Sequence, residues 1–266
     1  MSTITPTTSS TRPTGVQGRI AFETDTKNII VYDGANWRAY ASDGASSTFS
    51  SNSYSVDFDG TNDYIDITGA SGLFNNATAF SISLWYYADA YGGAVFGSGD
   101  NNNNRIAILP YSSGNNFFFV VRNGSGTQIT TTSPALNQWV HVAATYNAGN
   151  GTLYLTPAGG STSTATSSSL PTSLSSTIGS NLSVGRDPAP SLYFNGKVDE
   201  VAIWNREITS TEVSNIINNK NYVGVSAMWR LENTADATIG GSGYNGTMNN
   251  FVSPQGFVSG AGNTPY

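Results

Sequence analysis

From residue 45 to about 205, short apolar runs with alternating polar positions follow one another every 8–12 residues or so, and Gly or Asn punctuates the gaps. This rhythm constrains the fold more than any single motif. In "AFSISLWYYAD", Phe80, Ile82, Leu84 and Tyr86 share one face of a strand. "RIAILPY", "NNFFFVVRNG", "TQITTTS", "WVHVAATYN" and "GTLYLTPAGG" continue the pattern. Many short strands closed by turns predict an all-β sandwich or jelly roll. The Ser/Thr tract over 161–177 reads as a strand and loop of that sandwich, because "GTLYLTPAGGSTSTATSSS" has hairpin shape and Thr suits an edge strand. One short helix is predicted over 209–219. Thr209 or Ser210 caps it, Glu212 lies in its first turn, and Val213, Ile216 and Ile217 line one face.

The N-terminal end reads differently. Residues 1–17 are Ser/Thr/Pro-rich and predict a flexible or anchoring arm. Residues 18–44 alternate through "GRIAF", turn at "TDTKN", alternate again through "IIVY" and close with "NWRAYA", a β-hairpin unit with a third strand. Three short strands bury little alone, so the unit is expected to pack on the main domain, on a second copy or on another protein. Residues 45–266 form the sandwich domain.

Only 11% of the 266 residues are charged, and the net charge is −6. No Lys/Arg cluster occurs, which argues against nucleic-acid binding, since that binding rests on neutralised phosphates. No apolar run approaches the ~18 residues a membrane-spanning helix needs. The first fifteen residues lack the apolar core of a conventional signal peptide, and zero cysteines exclude disulfides. Synthesis and assembly in a cytoplasm fit these features.

Four segments, taken in order, resemble the laminin-G-like, concanavalin A-like jelly-roll family. "VDFDGTNDYIDI" resembles its opening strand pair, and "FSISLWYYAD" the Trp-bearing strand that follows. "WVHVAATYNAGNGTLYL" resembles the central hairpin, and "LSVGRDPAPSLYFNGKVDEVAIWNREITSTEVSNI" the closing strand and helix. One segment is displaced. "VSAMWRLENTADATIGGSGYNGTMNNF", 225–251, resembles the stretch that precedes the first of these in such modules. It begins either a truncated second module or, on the favoured reading, supplies the first strand of a permuted one. The hairpin "GRIAFETDTKNIIVYDGANW" is similar to a short module of bacteriophage tail-fibre and head-decoration proteins.

The resemblance brings expectations about chemistry. Glucanases of this fold use carboxylates spaced by two on one strand, and no E-x-D-x-E pattern occurs here. Asp199 and Glu200 are adjacent, which predicts opposite faces and solvated side chains. Asp57 and Asp59 have the right spacing, but Gly60 ends their strand. The chain is therefore read as non-enzymatic. His141, between Val140 and Val142, is expected to point outward in a structural role. Laminin-G-like modules often hold Ca²⁺, which implies a site from Asp59, Asn62 and Asp199. The Asp-Gly and Asn-Asp pairs of "FDGTNDYIDI" equally suit a tight turn with Phe58, Tyr64 and Ile65 near the core. Sugar stacking needs exposed aromatics and amides, which points to Tyr91, Asn102 and Asn103 in "DAYGGAVFGSGDNNNNR" and to Tyr193 in "GRDPAPSLYFNG", with the two loops as neighbours.

The whole predicts a bacteriophage virion structural protein, a fibre or capsid decoration. Residues 1–42 would dock on other virion proteins or associate the chain into a homo-oligomer such as a trimer, and the lectin-like sandwich would be available to a host surface glycan. The alternative expectation is a secreted carbohydrate-binding module of a bacterial surface protein.

Overall fold

A computed structural model describes residues 5–8, 10–24, 28–32, 34–41, 52–111, 116–188, 192–240, 242–252, 256–259, 262 and 264–265. Residues 1–4 of the arm, 25–27 of the N-terminal turn and 42–44 at the end of the hairpin unit lie outside these. The chain divides into two compact units, residues 1–49 with 214–224, and residues 50–213 with 225–266.

In the first unit, β1 (Thr5–Thr7), β2 (Ile20–Glu23), β3 (Asn28–Tyr32) and β4 (Trp37–Ala41) form one sheet in that order. The hairpin and third strand are those expected. The arm adds a fourth strand, because Thr5-Pro6-Thr7 pairs in parallel with Ala21-Phe22-Glu23. Ala21 and Ile30 face each other across β2 and β3 and are fully buried.

The second unit is a jelly-roll sandwich. Its strands in chain order are β5 (Tyr54–Asp59), β6 (Tyr64–Ile67), β7 (Ala79–Ala88), β8 (Phe96–Asn101), β9 (Asn104–Tyr111), β10 (Asn116–Asn123), β11 (Ser125–Thr132), β12 (Trp139–Asn147), β13 (Asn150–Pro157), β14 (Ser163–Ser167), β15 (Leu182–Val184), β16 (Arg186–Asp187), β17 (Leu192–Tyr193), β18 (Asn195–Trp204), β19 (Ala227–Trp229), β20 (Gly246–Asn249) and β21 (Phe257–Ser259). One sheet runs β11-β10-β9-β8-β15-β6-β20. The other runs β14-β13-β12-β7-β18-β5-β21, with β19 paired to β18. The Thr-rich β14 is an edge strand.

The inward faces meet in a single core. Phe96, Ile106, Ile108, Phe117, Phe119 and Val121 come from the first sheet, and Ile82, Leu84, Tyr86, Val140, Val142 and Leu155 from the second. Phe80 is a hub, with ring centroids 5.1 Å from Phe74 and from Tyr146 and 6.2 Å from Phe119. Of the three residues placed near the core from "FDGTNDYIDI", Phe58 and Ile65 are buried there. Tyr64 is not, because strand alternation in β6 turns Ile65 and Ile67 inward and Tyr64 outward, under the Arg186 guanidinium at 3.5 Å.

The segment 225–251 adds β19 to one sheet and β20 to the other. Helix α1 (Ser210–Asn219) starts with a reciprocal cap. The Glu212 amide donates to Thr209 Oγ1, and the Thr209 amide donates to Glu212 Oε2.

β5 and β19 lie end to end along the same side of β18, β5 against residues 195–198 and β19 against 201–203. Asp199 and Glu200 fall at the joint. A bulge against β7 and a φ of 52° at Glu200 break the alternation there. The two carboxylates are consequently not solvated on opposite faces, as their adjacency suggests, but fully buried in one polar knot. Asn52 Nδ2 and the Glu200 amide both donate to Asp199, at 2.7 Å each. Arg230 Nε donates to Glu200 Oε1 at 3.0 Å, and the Ser53 amide donates to Glu232.

Candidate functional site

Antiparallel sheets with one solvated face normally show polar residues on it. The outer face of β9 and β10 departs from this. Arg105, Ala107 and Leu109 on β9 lie directly opposite Arg122, Val120 and Phe118 on β10, and all six point away from the core. Ala94, Ala107, Leu109 and Val120 form a small apolar cluster with Phe118 and Leu192 packed against it. Above this floor lies a groove of about 310 Å³, lined by Asn102, Arg105, Leu109, Phe118, Val120, Gln128 and Leu192.

The hairpin of β16 and β17 builds one wall, and Gly97 on β8 lets it approach. A Cβ at that position would stand 2.6 Å from the Arg186 carbonyl oxygen and 2.8 Å from Asp187 Cα. Gly97→Ala is expected to lift the hairpin and cost about 1–3 kcal/mol, as overpacking does, readable by urea denaturation. With Gly97 in place, Asp187 is fully buried and receives Arg105 Nη1 at 2.5 Å. Burial lowers the Arg105 pKa, the Asp187 charge restores part of it, and the charge of Arg122 opposes it. Arg105 Nε is buried without a hydrogen-bond partner.

The loops expected to be neighbours are neighbours, since the Ala94 amide donates to the Leu192 carbonyl at 3.2 Å. The residues singled out within them divide. Asn102 lines the groove, and its carbonyl accepts from Arg122 Nη1. Asn103 is exposed beside it, with its carbonyl accepting from the Gly124 amide. Asp100 accepts from Asn101, Asn104 and Thr177, which locks the Asn run into a turn. Tyr91 donates its hydroxyl to the Pro134 carbonyl, and Tyr193 packs against Tyr64 at 6.3 Å. Neither tyrosine lines the groove. Two-residue alternation in β17 gives the wall to Leu192 and turns Tyr193 aside. Arg105, Leu109, Phe118, Val120, Gln128 and Leu192 went unrecognised in the sequence. The available signal was the second, outward apolar row within "RIAIL" and "FFFVVR".

The acidic loop leads elsewhere. Asp59 ends β5, and the Thr61 and Asn62 amides donate to its Oδ1, at 2.7 and 3.2 Å. Burial pushes its pKa up, but these backbone donors more than offset that and hold it low. Asp57, Asp59, Asp63 and Asp89 line a cavity of about 410 Å³. Burial raises the carboxyls of Asp57 and Asp63. Asp199 is absent from that cavity. It lies four residues along β18 from Asn195, the partner of Asp59, and is buried on its own donors. The donor set Asp59, Asn62 and Asp199 therefore does not converge on one cation. Among the described residues no group of three or more Asp, Glu, His or Cys is arranged to hold one. His141 is on the outer face as expected but fully buried, with Nε2 2.8 Å from Ser83 Oγ and its ring edge-on to Trp85.

No curated protein sequence matches the chain. Solved structures resemble the chain at low identity. Domain 4 of an extracellular arabinanase from Geobacillus stearothermophilus, in complex with arabinotriose, is 17% identical over 62% of this chain and 76% of that one, with a TM-score of 0.49. A heptameric pentraxin from Limulus polyphemus is 14% identical over 63% of this chain and 82% of that one, TM-score 0.45. The tailspike protein 2 enzymatic domain of bacteriophage CBA120 is 12% identical over 70% of this chain and 34% of that one, TM-score 0.48. A family model, the laminin G type of the concanavalin A-like lectin/glucanases superfamily, matches residues 59–214, more than half of the chain. With its two-sheet jelly roll, the chain belongs to the laminin G-type, concanavalin A-like lectin/glucanases superfamily.

Proposed function

We propose that the chain is a non-enzymatic structural component of a bacteriophage particle, a fibre or capsid decoration. Its sandwich contacts surface saccharide through the groove on β9 and β10. The carrying observation is the composition of that groove. An apolar floor of Leu109, Phe118 and Val120 suits the C–H face of a sugar ring, and Asn102, Gln128 and Arg105 supply hydrogen bonds to hydroxyls. Among the described residues lining it there is no carboxylate, whereas glycoside hydrolysis uses a pair of them. The virion setting rests on the N-terminal hairpin, whose resemblance to phage modules suits attachment or homo-oligomerisation through residues 1–42.

Phe118→Ala is expected to weaken oligosaccharide binding about tenfold, in line with the ~0.5–1.5 kcal/mol that an aromatic contact adds beyond its area. Calorimetric titration of wild type and variant reads this. Because the Phe118 side chain lies outside the main core, thermal unfolding should shift little. Mass spectrometry of purified particles tests the setting. The intact chain at a defined copy number supports it, and absence from particles with presence in the medium transfers the groove to a secreted carbohydrate-binding module.

A further inference from the structure

The groove is not neutral. Arg105 and Arg122 stand directly opposite each other across β9 and β10 on the outer face. Like charges in that position destabilise a strand pair unless something opposes them. Asp187 opposes one of the two. The Arg122 guanidinium instead donates to the Asn102 carbonyl, an uncharged acceptor. The result is one surplus positive charge, on Arg122 beside the lining residue Arg105, in a chain whose net charge is −6.

The second observation is the Arg105 fork itself. The side chain is only 9% exposed, and its Nη1 edge is engaged by Asp187. Its Nε is buried with no hydrogen-bond partner. A buried donor left unsatisfied costs about 1–3 kcal/mol, so an acceptor that reaches it recovers that cost. A guanidinium with an unused donor edge takes a carboxylate by two parallel hydrogen bonds.

We propose that this groove selects saccharides bearing a carboxylate, of the uronic acid type. This rests on the saccharide reading above and names the ligand class. The anion sits at the Arg105–Arg122 end. Leu109 and Phe118 lie four residues further along their strands, about 13 Å away at strand rise, so the apolar face of a second or third ring rests on them and on Leu192. Asn102 and Gln128 complete the rim.

The test is calorimetric titration of the full chain with uronic acid trisaccharides of gluco, galacto and manno configuration. Each is compared with the same trisaccharide after reduction of its carboxyl groups to alcohols. At least one acidic form is expected to bind ten times or more tighter than its reduced counterpart, and the difference should shrink as salt is raised. Arg122→Gln should remove most of that preference with thermal unfolding unchanged, and Arg122→Lys should restore part of it. Equal binding of acidic and reduced forms, with Phe118→Ala weakening both, overturns the anion selection and leaves the saccharide groove standing. A preference that survives Arg122→Gln overturns the placement of the anion. Binding of no form overturns the groove reading as a whole.

Discussion

Arg230→Met is expected to destabilise the sandwich by about 3–5 kcal/mol, the usual cost of removing one partner from a buried ion pair. Glu200 is fully buried, and Arg230 Nε donates to its Oε1 at 3.0 Å. The substitution keeps the apolar stem of the side chain but leaves the Glu200 carboxylate in low dielectric without its guanidinium. Urea denaturation reads the loss as a lower midpoint with an unchanged slope. A loss below about 1 kcal/mol, the value of an exposed pair, would show that water reaches the joint.

Asp199, at the same joint, adds a pH signature. Burial raises its pKa well above the ordinary carboxylate value, and the neighbouring Glu200 charge pushes the same way. A carboxyl that holds its proton more tightly when folded binds more protons in the native than in the unfolded state, so stability falls as pH rises. Its favourable contribution is complete below the unfolded value of 3.8 and is lost as pH climbs through the folded value. Asp199→Asn removes that titration and should flatten the fall in stability as pH rises above 3.8. A residual slope of the same sign remains from Asp57 and Asp63, both also raised by burial.

The second large effect is expected at the groove. Arg105→Met leaves Asp187 fully buried without its cation, and about 3–5 kcal/mol should again be lost. The double variant Arg105→Met, Asp187→Leu replaces both charges by apolar groups and should recover most of that stability. It should fold, keep the apolar floor and lose the preference for acidic sugars. Stability and recognition are thereby separated in one pair of variants. If the double variant is no more stable than the single, the cost of Arg105→Met comes from packing of the arginine stem and not from a stranded charge.

Much of this protein is written in periodicity. Alternation at Phe80, Ile82, Leu84 and Tyr86 specifies which face of β7 meets the opposite sheet, because a one-residue slip would turn every one of them out of the inter-sheet core. Thr209 and Glu212 mark the helix start through purely local hydrogen bonds. Order of segments, all-β class and family follow from such local rules. The Asp59 turn is likewise local, since its donors are two and three residues away.

What the sequence alone did not decide depends on strands distant along the chain. Asp199 and Glu200 read as solvated because nothing near them in the chain covers them. They are buried because β5 and β19, some 170 residues apart, meet end to end beside them. The groove is tertiary in the same sense. Asp187 reaches Arg105 across 82 positions, and only where Gly97 lets the hairpin down. Tyr91 and Tyr193 had the right chemistry for a sugar but are committed to Pro134 and Tyr64, while Leu192 and Phe118, unremarkable in the sequence, form the surface. Local propensity assigns a residue to a strand and a face. Which face is left open, and which charge stands beside it, is set by packing between segments that only the folded sandwich brings together.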